Sequence, residues 1–438
     1  MMKKTSSYPN DWREVTLADL VDITHGFPFK GEFINDKPQG DILLTPRNFT
    51  IGGGFKSNKF KYYSGSFPEE YILSDGDLIV SMTDLSKQSD TLGYPAILPV
   101  NQGSHRYLHN QRIGKIHIKD PSLETRYIYY VMCGHEYRSE VLASSTGTAI
   151  KHTSPSRIKK FRFRLAPPPE QRAISYILGT LDDKIESNRR MNETLEAMAQ
   201  AIFKDWFIDF APVKAKMAGH EPYLSPELWE LFPNSLDEEG KPAGWEICMV
   251  RDCFTLTMGQ SPPSETYNEN GDGLPFFQGS TDFGFRYPKN RKYCTDPSRI
   301  AEKNYTLVSV RAPVGDINKA LGKCCIGRGV AALCHKSGNS SYTYYSTWRI
   351  QQKLREYEDT GTVFGSINKK QFETLSILQP SANIIVAFES LICPIDDYIR
   401  KNFMENLTLT QTRDLILPKL LSGEIRISDF EKILEAIV

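Results

Sequence analysis

Two long helical segments decide the fold, and the first of them is residues 169–207, PEQRAISYILGTLDDKIESNRRMNETLEAMAQAIFKDWF. Pro169 stands where the first turn of a helix accepts proline, and no other proline follows before Phe207. One face of this helix advances by alternating steps of three and four residues, which is the pattern of a coiled coil. That face consists of Leu178, Leu181, Ile185, Asn188, Asn192, Leu195, Ala199, Ile202 and Trp206.

A second helical face with the same spacing lies near the end of the sequence. It consists of Ile392, Ile395, Ile399, Asn402, Asn406, Leu409, Arg413, Ile416 and Leu420. Each face has two asparagines at the same central positions, where polar residues can pair across helices and fix the register. We therefore expect the two helices to pack on each other. The alternative is that each helix packs only on its own domain.

The residues expected to pair the helices are Leu181, Ile185, Asn188, Asn192, Leu195, Ile395, Ile399, Asn402, Asn406 and Leu409. Pro394 predicts that the second helix is kinked or begins late, and Pro418 and Gly423 mark its end. The first helix, from residue 170 to residue 207, would be about 57 Å long at 1.5 Å per residue. A rod of this length could hold two globular parts about 34–36 Å apart, the length of one helical turn of DNA, or somewhat more.

The chain reads as two copies of one unit. Trp12-Arg13-Glu14-Val15 is matched by Trp245-Glu246-Ile247-Cys248 in the second half of the sequence. Further matches, among them Lys56 with Arg286 and Arg112 with Arg328, keep one order while the separation between partners shrinks steadily. An ordered series of this kind indicates duplication. Ahead of its helix, each copy is rich in Gly, Pro, Tyr and Phe and contains short apolar runs, which predict strands joined by long loops.

Composition places the chain among ordinary globular proteins. Its 438 residues are 40% hydrophobic and 24% charged, and the formal net charge is zero. No apolar run is long enough to span a bilayer, and the polar N-terminal residues do not resemble a signal peptide, so we expect a cytoplasmic protein without membrane contact. The eight cysteines contain no C-x-x-C pair, and we expect thiols rather than a metal site or disulfides. No metal and no cofactor is predicted.

Two basic and aromatic runs without an acid, residues 53–63 and 284–293, are the first candidates for nucleic-acid contact. Long cations suit phosphate contact, and neighbouring amides such as Asn48 and Gln278 can read adenine. Gly-Thr turns can offer backbone N–H groups to a phosphate. For any single residue, a solvated basic loop or an ordinary turn is the alternative. The candidates from these patterns are Arg47, Asn48, Lys56, Lys59, Lys61, Gly147, Thr148, Lys151, Gln278, Ser280, Arg286, Lys289, Arg291, Gly361 and Thr362.

Residues 150–164 add six cations without an acid and predict a strand with a basic outer face, for phosphate contact or simply for solvent. Catalytic motifs are missing. The sequence has no G-x-x-x-x-G-K-[ST] loop, no G-x-G-x-x-G that opens a helix and no Asn-Pro-Pro-Tyr-like tetrad. Glu239-Gly240-Lys241 matches the E-x-K of nucleases only superficially. We therefore expect a non-catalytic protein.

Several segments resemble the specificity subunit of type I restriction–modification systems, and the resemblance covers nearly the whole chain. It is carried by residues 165–174 (LAPPPEQRAI), 181–186 (LDDKIE), 201–207 (AIFKDWF) and 418–425 (PKLLSGEI). The resemblance implies an α+β fold with two globular target-recognition domains separated by a long antiparallel two-helix coiled coil, with a pseudo-twofold internal repeat. The expected boundaries are 1–166 for the first recognition domain, 167–210 for the first spacer helix, 211–379 for the connector and second recognition domain, and 380–438 for the second helix and tail.

The resemblance also implies a function. Each recognition domain would read one half of a split, asymmetric site in double-stranded DNA. The helices would set the spacing and dock two methyltransferase (modification) subunits of an adenine methyltransferase complex, which motor-nuclease (restriction) subunits then join. It adds Gln260 and Arg311 to the candidate DNA contacts. The alternative function is a two-domain adaptor that binds no DNA.

Overall fold

The computed structural model describes residues 9–427, apart from residues 58, 85, 87–89, 102, 104, 149 and 359–364. The chain divides into two compact units. Unit 1 is Met1–Glu186 with Asn406–Val438, and unit 2 is Ser187–Glu405. Each unit therefore contains a globular part and one portion of each long helix. The domain boundaries expected from the sequence, which treat the helices as separate segments, stay a prediction.

Unit 1 combines short strands with four short helices and the start of a long one. The helices are α1 (Leu17–Leu20), α2 (Thr125–Cys133), α3 (His135–Ala143), α4 (Pro155–Ile158) and α5 (Pro168–Phe207). The strands are β1 (Arg13–Thr16), β2 (Val21–His25), β3 (Ile34–Asn35), β4 (Asp41–Leu43), β5 (Lys61–Tyr63), β6 (Ile72–Leu73), β7 (Leu78–Ser81), β8 (Thr83–Asp84), β9 (Pro95–Ile97), β10 (Tyr107–Leu108), β11 (Ile113–Ile118), β12 (Lys151–His152) and β13 (Arg162–Leu165).

Unit 2 repeats this composition around the rest of the long helices. Its strands are β14 (Glu246–Met249), β15 (Phe254–Met258), β16 (Tyr267–Asn268), β17 (Leu274–Phe277), β18 (Tyr293–Cys294), β19 (Ile300–Ala301), β20 (Thr306–Ser309), β21 (Ile317–Lys319), β22 (Cys324–Ile326), β23 (Val330–His335) and β24 (Ser376–Gln379). Its helices are α6 (Ala211–Met217), α7 (Pro226–Glu230), α8 (Val250–Cys253), α9 (Ser340–Arg355), α10 (Lys369–Glu373) and the start of α11 (Ala382–Leu421), which ends in unit 1.

The two units have the same sheet topology. Unit 1 has a four-stranded sheet of order β2-β11-β7-β9 and a five-stranded sheet of order β3-β5-β4-β10-β6. Unit 2 has the matching orders β15-β23-β20-β21 and β16-β18-β17-β22-β19. In each five-stranded sheet one pair is parallel, β4 with β10 and β17 with β22. Agreement in strand order and in this one parallel pair supports the duplication inferred from the sequence.

The apolar runs of the sequence form the central strands. All four residues of β7 are buried, and so are all four residues of β20. A strand covered on both faces needs continuous apolar sequence, which is how these runs differ from a half-buried, alternating strand. Within unit 1 the core also takes in the end of α11, through Ile416, Leu417 and Leu420. The α+β fold class expected from the sequence is confirmed.

Hydrogen bonds between strands correct two of the sequence matches. The N–H of Met82 donates to Arg112 O and that of Val310 donates to Gly329 O, both at 2.9 Å. Arg112 is therefore equivalent to Gly329, so the match with Arg328 was wrong by one residue. Likewise, Lys56 donates its N–H to Asn48 O and Lys289 donates to Asp282 O, both at 2.8 Å. These bonds make Lys56 equivalent to Lys289 rather than to Arg286, so the separation between the two copies shrinks only after this loop.

Within unit 2 the long helices are joined by buried polar side chains. Asn402 Nδ2 donates to Asn192 Oδ1 at 2.9 Å, and both residues are buried. Asn188 Nδ2 donates to Glu405 Oε2 at 2.8 Å. Moving forward along α5 from Asn188 to Asn192 means moving backward along α11, so the helices are antiparallel here.

Within unit 1 the same antiparallel direction holds. Asn406 Nδ2 donates to Ile185 O at 3.2 Å, and Arg413 Nη1 donates to Asp182 Oδ1 at 2.8 Å. The apolar residues predicted to pair the helices are buried or half-buried in their units: Leu181, Ile185, Leu195, Ile395, Ile399 and Leu409.

The second long helix begins at Ala382, twelve residues ahead of Pro394, and runs through Pro394 and Pro418 to Leu421. A late start at Pro394, one of the two outcomes expected from the sequence, was therefore wrong. Apolar side chains on both sides of Pro394, including Ile392 and Ile399, are buried in unit 2. The stabilisation from this packing outweighs the loss of one backbone hydrogen bond at the proline.

Two of the cysteines form a disulfide that the sequence did not predict. Cys248 in β14 and Cys253 in α8 form a disulfide, whereas the sequence predicted thiols throughout. The tight connection between β14 and α8 brings the two together although they are not spaced as C-x-x-C. Within the described ranges, no helix has both the length and the apolar character needed to cross a bilayer.

The Asn192–Asn402 pair predicts non-additive mutations. Asn402→Leu removes the partner of a buried amide oxygen and is expected to cost about 1–3 kcal/mol, whereas Asn192→Leu with Asn402→Leu replaces both groups by an apolar contact and recovers most of the loss. Thermal unfolding of the four proteins of this double-mutant cycle measures the effect. If the stability loss of the double variant equals the sum of the losses of the two single variants, the amides do not interact.

Candidate nucleic-acid interface

Unit 2 contains a polar cleft of about 360 Å³ at the ends of its central strands. Its walls come from the turn after β17, the residues before β18, the turn after β20 and the turn between β22 and β23. The cleft brings together four of the residues predicted from the sequence, Gln278, Ser280, Arg291 and Arg311.

Glycine allows these turns to converge. Gly329 N donates to Gln278 O at 3.0 Å, and Gly329 O accepts from Val310 N at 2.9 Å. A Cβ at position 329 would lie 2.3 Å from the carbonyl oxygen of Gln278, so only glycine permits this approach. The turn is thereby held between the Gln278 segment and the segment that leads to Arg311.

Positive charge dominates the cleft. Four cations line it, Arg291, Lys292, Arg311 and Arg328, and the one carboxylate among the lining residues is Asp282. Arg291 Nε donates to Asp282 Oδ1 at 2.8 Å and Arg328 Nε donates to Ser261 Oγ at 3.4 Å, and both arginines are exposed. A cleft with this excess of positive charge suits a phosphate backbone.

Two residues of the cleft were missed in the sequence. Lys292 stands in the basic run that supplied Arg291, and Arg328 was noticed only as a repeat match. Arg328 lies next to Gln278 because β17 pairs in parallel with β22, which is distant in the sequence. Lys292 is held there by the β17–β18 pairing, in which Phe276 N donates to Lys292 O at 2.8 Å. The signal that could have found Lys292 is its place in the basic run, whereas Arg328 has no local pattern.

The remaining predicted residues of unit 2 lie outside the cleft lining. Gln260 and Lys289 are exposed. Gln260 directly precedes Ser261, the partner of Arg328, so it stands near the cleft. Gly361 and Thr362 fall outside the described residues.

Arg286 occupies the interior of unit 2 instead of its surface. Its side chain is 1% exposed. Nη1 donates to Glu196 Oε2 of α5 at 2.6 Å, and Nη2 bonds Asp396 of α11. Its guanidinium lies 3.6 Å from the ring centroid of Tyr344. The guanidinium is thus held inside the unit by two carboxylates and a ring, and not on the surface where the sequence pattern had suggested a DNA contact.

A second cation completes this buried cluster. Lys319 Nζ donates to Asp396 Oδ2 at 2.7 Å, and Ser341 Oγ donates to the same oxygen at 2.8 Å. Burial by itself would raise the pKa of Asp396, but the charges of Arg286 and Lys319 outweigh it and lower that pKa below its usual value. The stability gained from this ionised carboxylate is present above pH about 4 and is lost as the pH falls below it.

In unit 1 the amide of Asn48 is used internally. Oδ1 accepts from Thr45 N at 2.9 Å and from Thr45 Oγ1 at 3.2 Å, while Nδ2 donates to Lys56 O at 3.2 Å. Asn48 is fully buried, whereas its neighbour Arg47 is exposed. Asn48 therefore shapes the loop that carries Arg47 and Lys56, and its buried amide bonds within that loop instead of facing solvent.

The three lysines of this region differ in environment. Lys56 and Lys59 are exposed, and Lys59 has a positive φ of 56°. Lys61 is half-buried and pairs with Asp36 at 2.5 Å. Lys56 and Lys59 consequently present their charge to solvent, while Lys61 is partly neutralised.

The predicted Gly-Thr turn lies beside the central strand of unit 1. Gly147 has a φ of +95°, and a Cβ there would lie 1.9 Å from Ile150 O, so the turn requires glycine. Thr148 is exposed, and Lys151 stands opposite Asp84 in the β8–β12 ladder. Lys151 is thereby held beside β8, which follows shortly after β7 in the chain.

The strand predicted for residues 150–164 was wrong in part. The segment forms the short strand β12, then helix α4 starting at Pro155, and only then strand β13. Proline favours the first turn of a helix, which the charge pattern alone did not reveal. Several of its cations are also paired within the unit, Lys159 with Asp22 at 3.0 Å and Arg162 with Glu14 at 3.8 Å.

Comparison with known proteins agrees with this architecture. Residues 9–197 match the model of the type I restriction modification DNA specificity domain. The chain is 28% identical, over 97% of its own length and 96% of the relative's, to a Methanocaldococcus jannaschii protein named as the type I restriction enzyme MjaX specificity subunit. It is 25% identical, over 95% of its length and all of the relative's, to the type I restriction enzyme HindI specificity subunit of Haemophilus influenzae.

The fold is also shared with a solved structure. A crystal structure of the S subunit of a type I restriction–modification system from M. genitalium matches with a TM-score of 0.56 and 17% identity, over 96% of this chain and 98% of that chain. The relatives that align along nearly the whole chain are thus named as type I restriction enzyme specificity subunits, and the shared fold agrees with this similarity.

The buried cluster predicts a sharp contrast between two neighbouring cations. Arg286→Met leaves Glu196 and Asp396 with one buried cation in place of two and is expected to cost about 3–5 kcal/mol. Lys289→Met, in the same loop but exposed, should change stability by less than about 0.5 kcal/mol. Chemical denaturation of the full chain compares them, and equal midpoints for the two variants would contradict a structural role for Arg286.

Proposed function

We propose that this chain binds double-stranded DNA sequence-specifically and directs a type I modification and restriction complex in the cytoplasm to a split, asymmetric site. The observation that carries the proposal is the cleft of unit 2, where four cations surround an exposed glutamine. Cations that contact phosphates position a protein on the duplex, and an amide beside them can bond a base edge in two places.

Each unit would read one half of the site. The units share their strand order but differ in the residues that the loops present. Around the matching strand ends, unit 1 offers Arg47, Lys56, Lys59, Thr148 and Lys151, and unit 2 offers Gln278, Ser280, Arg291, Lys292, Arg311 and Arg328. Different side chains on one scaffold are expected to read different base sequences, which makes the combined site asymmetric.

The long helices would set the spacing of the two half-sites and dock two modification subunits, which restriction subunits then join. Both helices have 40 residues, about 60 Å at 1.5 Å per residue. They also expose large apolar side chains, with exposures of 39–65%, which docked subunits would cover. These are Tyr176, Met191, Met198, Val386, Leu391, Tyr398, Met404, Leu407 and Leu415.

The alternative function is a two-domain adaptor for a ligand other than DNA. The salt dependence of the binding affinity distinguishes the two functions. DNA binding releases counterions, so the logarithm of affinity falls with the logarithm of salt concentration. An adaptor for an uncharged ligand shows no such slope.

The cleft cations predict the size of this slope. Arg311→Ala and Arg328→Ala should each weaken binding to a random-sequence duplex and reduce the salt slope by about one unit. Lys353→Ala, an exposed lysine of α9 that does not line the cleft, is the matched control. Fluorescence anisotropy over a salt series measures both quantities. An unchanged slope in both arginine variants would remove the cleft from the DNA-binding surface.

The two-unit reading predicts the result of a domain exchange. Replacing the globular part of unit 2, residues 245–379, by that of a relative should change one half of the methylated motif and leave the other half and the adenine methylation intact. Sequencing the methylome of a host that carries the exchanged gene with its modification subunit detects this. A motif altered in both halves would show that the two units do not recognise their half-sites independently. An unaltered motif would show that this chain does not determine the sequence that is methylated.

A further inference from the structure

Unit 1 contains a cavity of about 560 Å³. Helix α2, the part of α5 near Asp182 and the last turns of α11 line the cavity. All residues that line the cavity belong to unit 1. The residues that matter here are Tyr129, Tyr130, Cys133, Asp182, Arg413 and Leu417.

Helix α2 in unit 1 and helix α9 in unit 2 are equivalent. Both carry a Tyr-x-Tyr-Tyr sequence, at residues 127–130 and 342–345. The first tyrosine of each packs on the last strand of its unit: Tyr127 Oη accepts from Ala166 N at 3.3 Å, directly after β13, and Tyr342 Oη donates to Leu378 O in β24 at 3.4 Å. Their next tyrosines are therefore equivalent pairs.

In unit 2 this tyrosine pair holds an arginine. The guanidinium carbon of Arg286 lies 3.6 Å from the ring centroid of Tyr344 and 5.2 Å from that of Tyr345. Three residues beyond Tyr345, the ring of Trp348 packs against Phe203 of α5, with 6.4 Å between the ring centroids.

Unit 1 has the equivalent tyrosines but no counterpart of the Arg286 and Trp348 side chains. Tyr129 and Tyr130 replace the tyrosines that contact Arg286, and Cys133 stands where Trp348 does. Lys56 is equivalent to Lys289, so Gly53, three residues earlier, is equivalent to Arg286. The backbone of Gly53 lies against this wall, since a Cβ there would be 2.4 Å from Cys133 Sγ and 3.4 Å from Tyr129 Oη.

The acid that pairs with Arg286 also has a counterpart. Asp182 directly follows Leu181 of α5, as Asp396 directly follows Ile395 at the matching position of α11. Asp182 accepts from Tyr130 Oη at 2.8 Å. Arg413 bridges Asp182 and Asp414, at 2.8 Å to each, and the Asp414 side chain remains 59% exposed.

The lining of the cavity has one more carboxylate than guanidinium groups, so it can accept one further cation. Its lining includes three carboxylates and two guanidinium groups: Glu136, Asp182, Asp414, Arg164 and Arg413. Aromatic rings and an excess of carboxylate are together the surroundings that attract a guanidinium.

We propose that the cavity of unit 1 binds an arginine side chain presented by a protein partner, in the way that unit 2 binds its own Arg286. Unit 2 supplies the occupant from its own loop, whereas unit 1 must receive it from outside. The site is independent of the DNA-binding cleft and gives the two units, which share one fold, different partners.

The test titrates the tetrapeptide acetyl-Gly-Phe-Arg-Tyr-amide, the sequence of residues 284–287, into the full chain and follows heat by isothermal calorimetry. We expect saturable binding of one peptide per chain. A peptide with citrulline in place of arginine has nearly the same shape but no charge, and it should bind about tenfold more weakly. Equal affinity for the two peptides, or no binding of either, would overturn the proposal.

Two variants locate the binding. Cys133→Trp supplies the ring that unit 2 has at the equivalent place and should abolish binding, whereas Cys393→Trp, at an exposed cysteine of α11, should bind like the parent chain. If Cys133→Trp does not fold, Asp414→Asn serves instead. It should weaken the arginine peptide several-fold and leave the citrulline peptide unchanged, which a general loss of structure would not do. Unaltered arginine-peptide binding in the folded cavity variant places the peptide elsewhere and refutes the site.

Discussion

The structure depends on the antiparallel packing of two 40-residue helices whose shared face is interrupted by asparagines. An apolar face alone would tolerate sliding by a heptad, because one leucine layer resembles the next. The bond from Asn402 to Asn192 in unit 2 and the bond from Asn406 to Ile185 O in unit 1 are each satisfied in one register only. Polar groups therefore specify the pairing that apolar burial drives.

The globular parts use those helices as part of their own cores. Phe203, Trp206 and Phe207 of α5 pack within unit 2, and Leu420 of α11 packs within unit 1. Since each long helix contributes to both units, neither unit is complete without residues from distant parts of the sequence. This interleaving explains why compact units and sequence segments do not coincide.

One fold has been adapted to two electrostatic interiors. In unit 2 a loop sends Arg286 inward to meet carboxylates from both long helices, and Lys319 adds a second cation. In unit 1 the equivalent acid, Asp182, is met by Arg413 from the helix itself. Both solutions pair a partly or fully buried carboxylate, as burial of charge requires. Because the cation comes from a loop in one unit and from a helix in the other, the space beside the tyrosines is filled in the first and open in the second.

The sequence by itself determined the elements whose signal is periodic or repeated. Alternating three- and four-residue steps located both long helices, matched positions exposed the duplication, and continuous apolar runs located β7 and β20. Local chemistry was also enough to single out Gln278 and Arg291 as candidates, and the structure brings both to one cleft. Tertiary structure alone decided which cations face solvent. Arg286 and Lys289 look alike in a basic loop, yet one is buried among carboxylates that lie 90 and 110 residues away. Arg328 joins the cleft only through the pairing of β17 with β22. A side chain's partners depend on contacts between distant segments, and no pattern within a single loop encodes them.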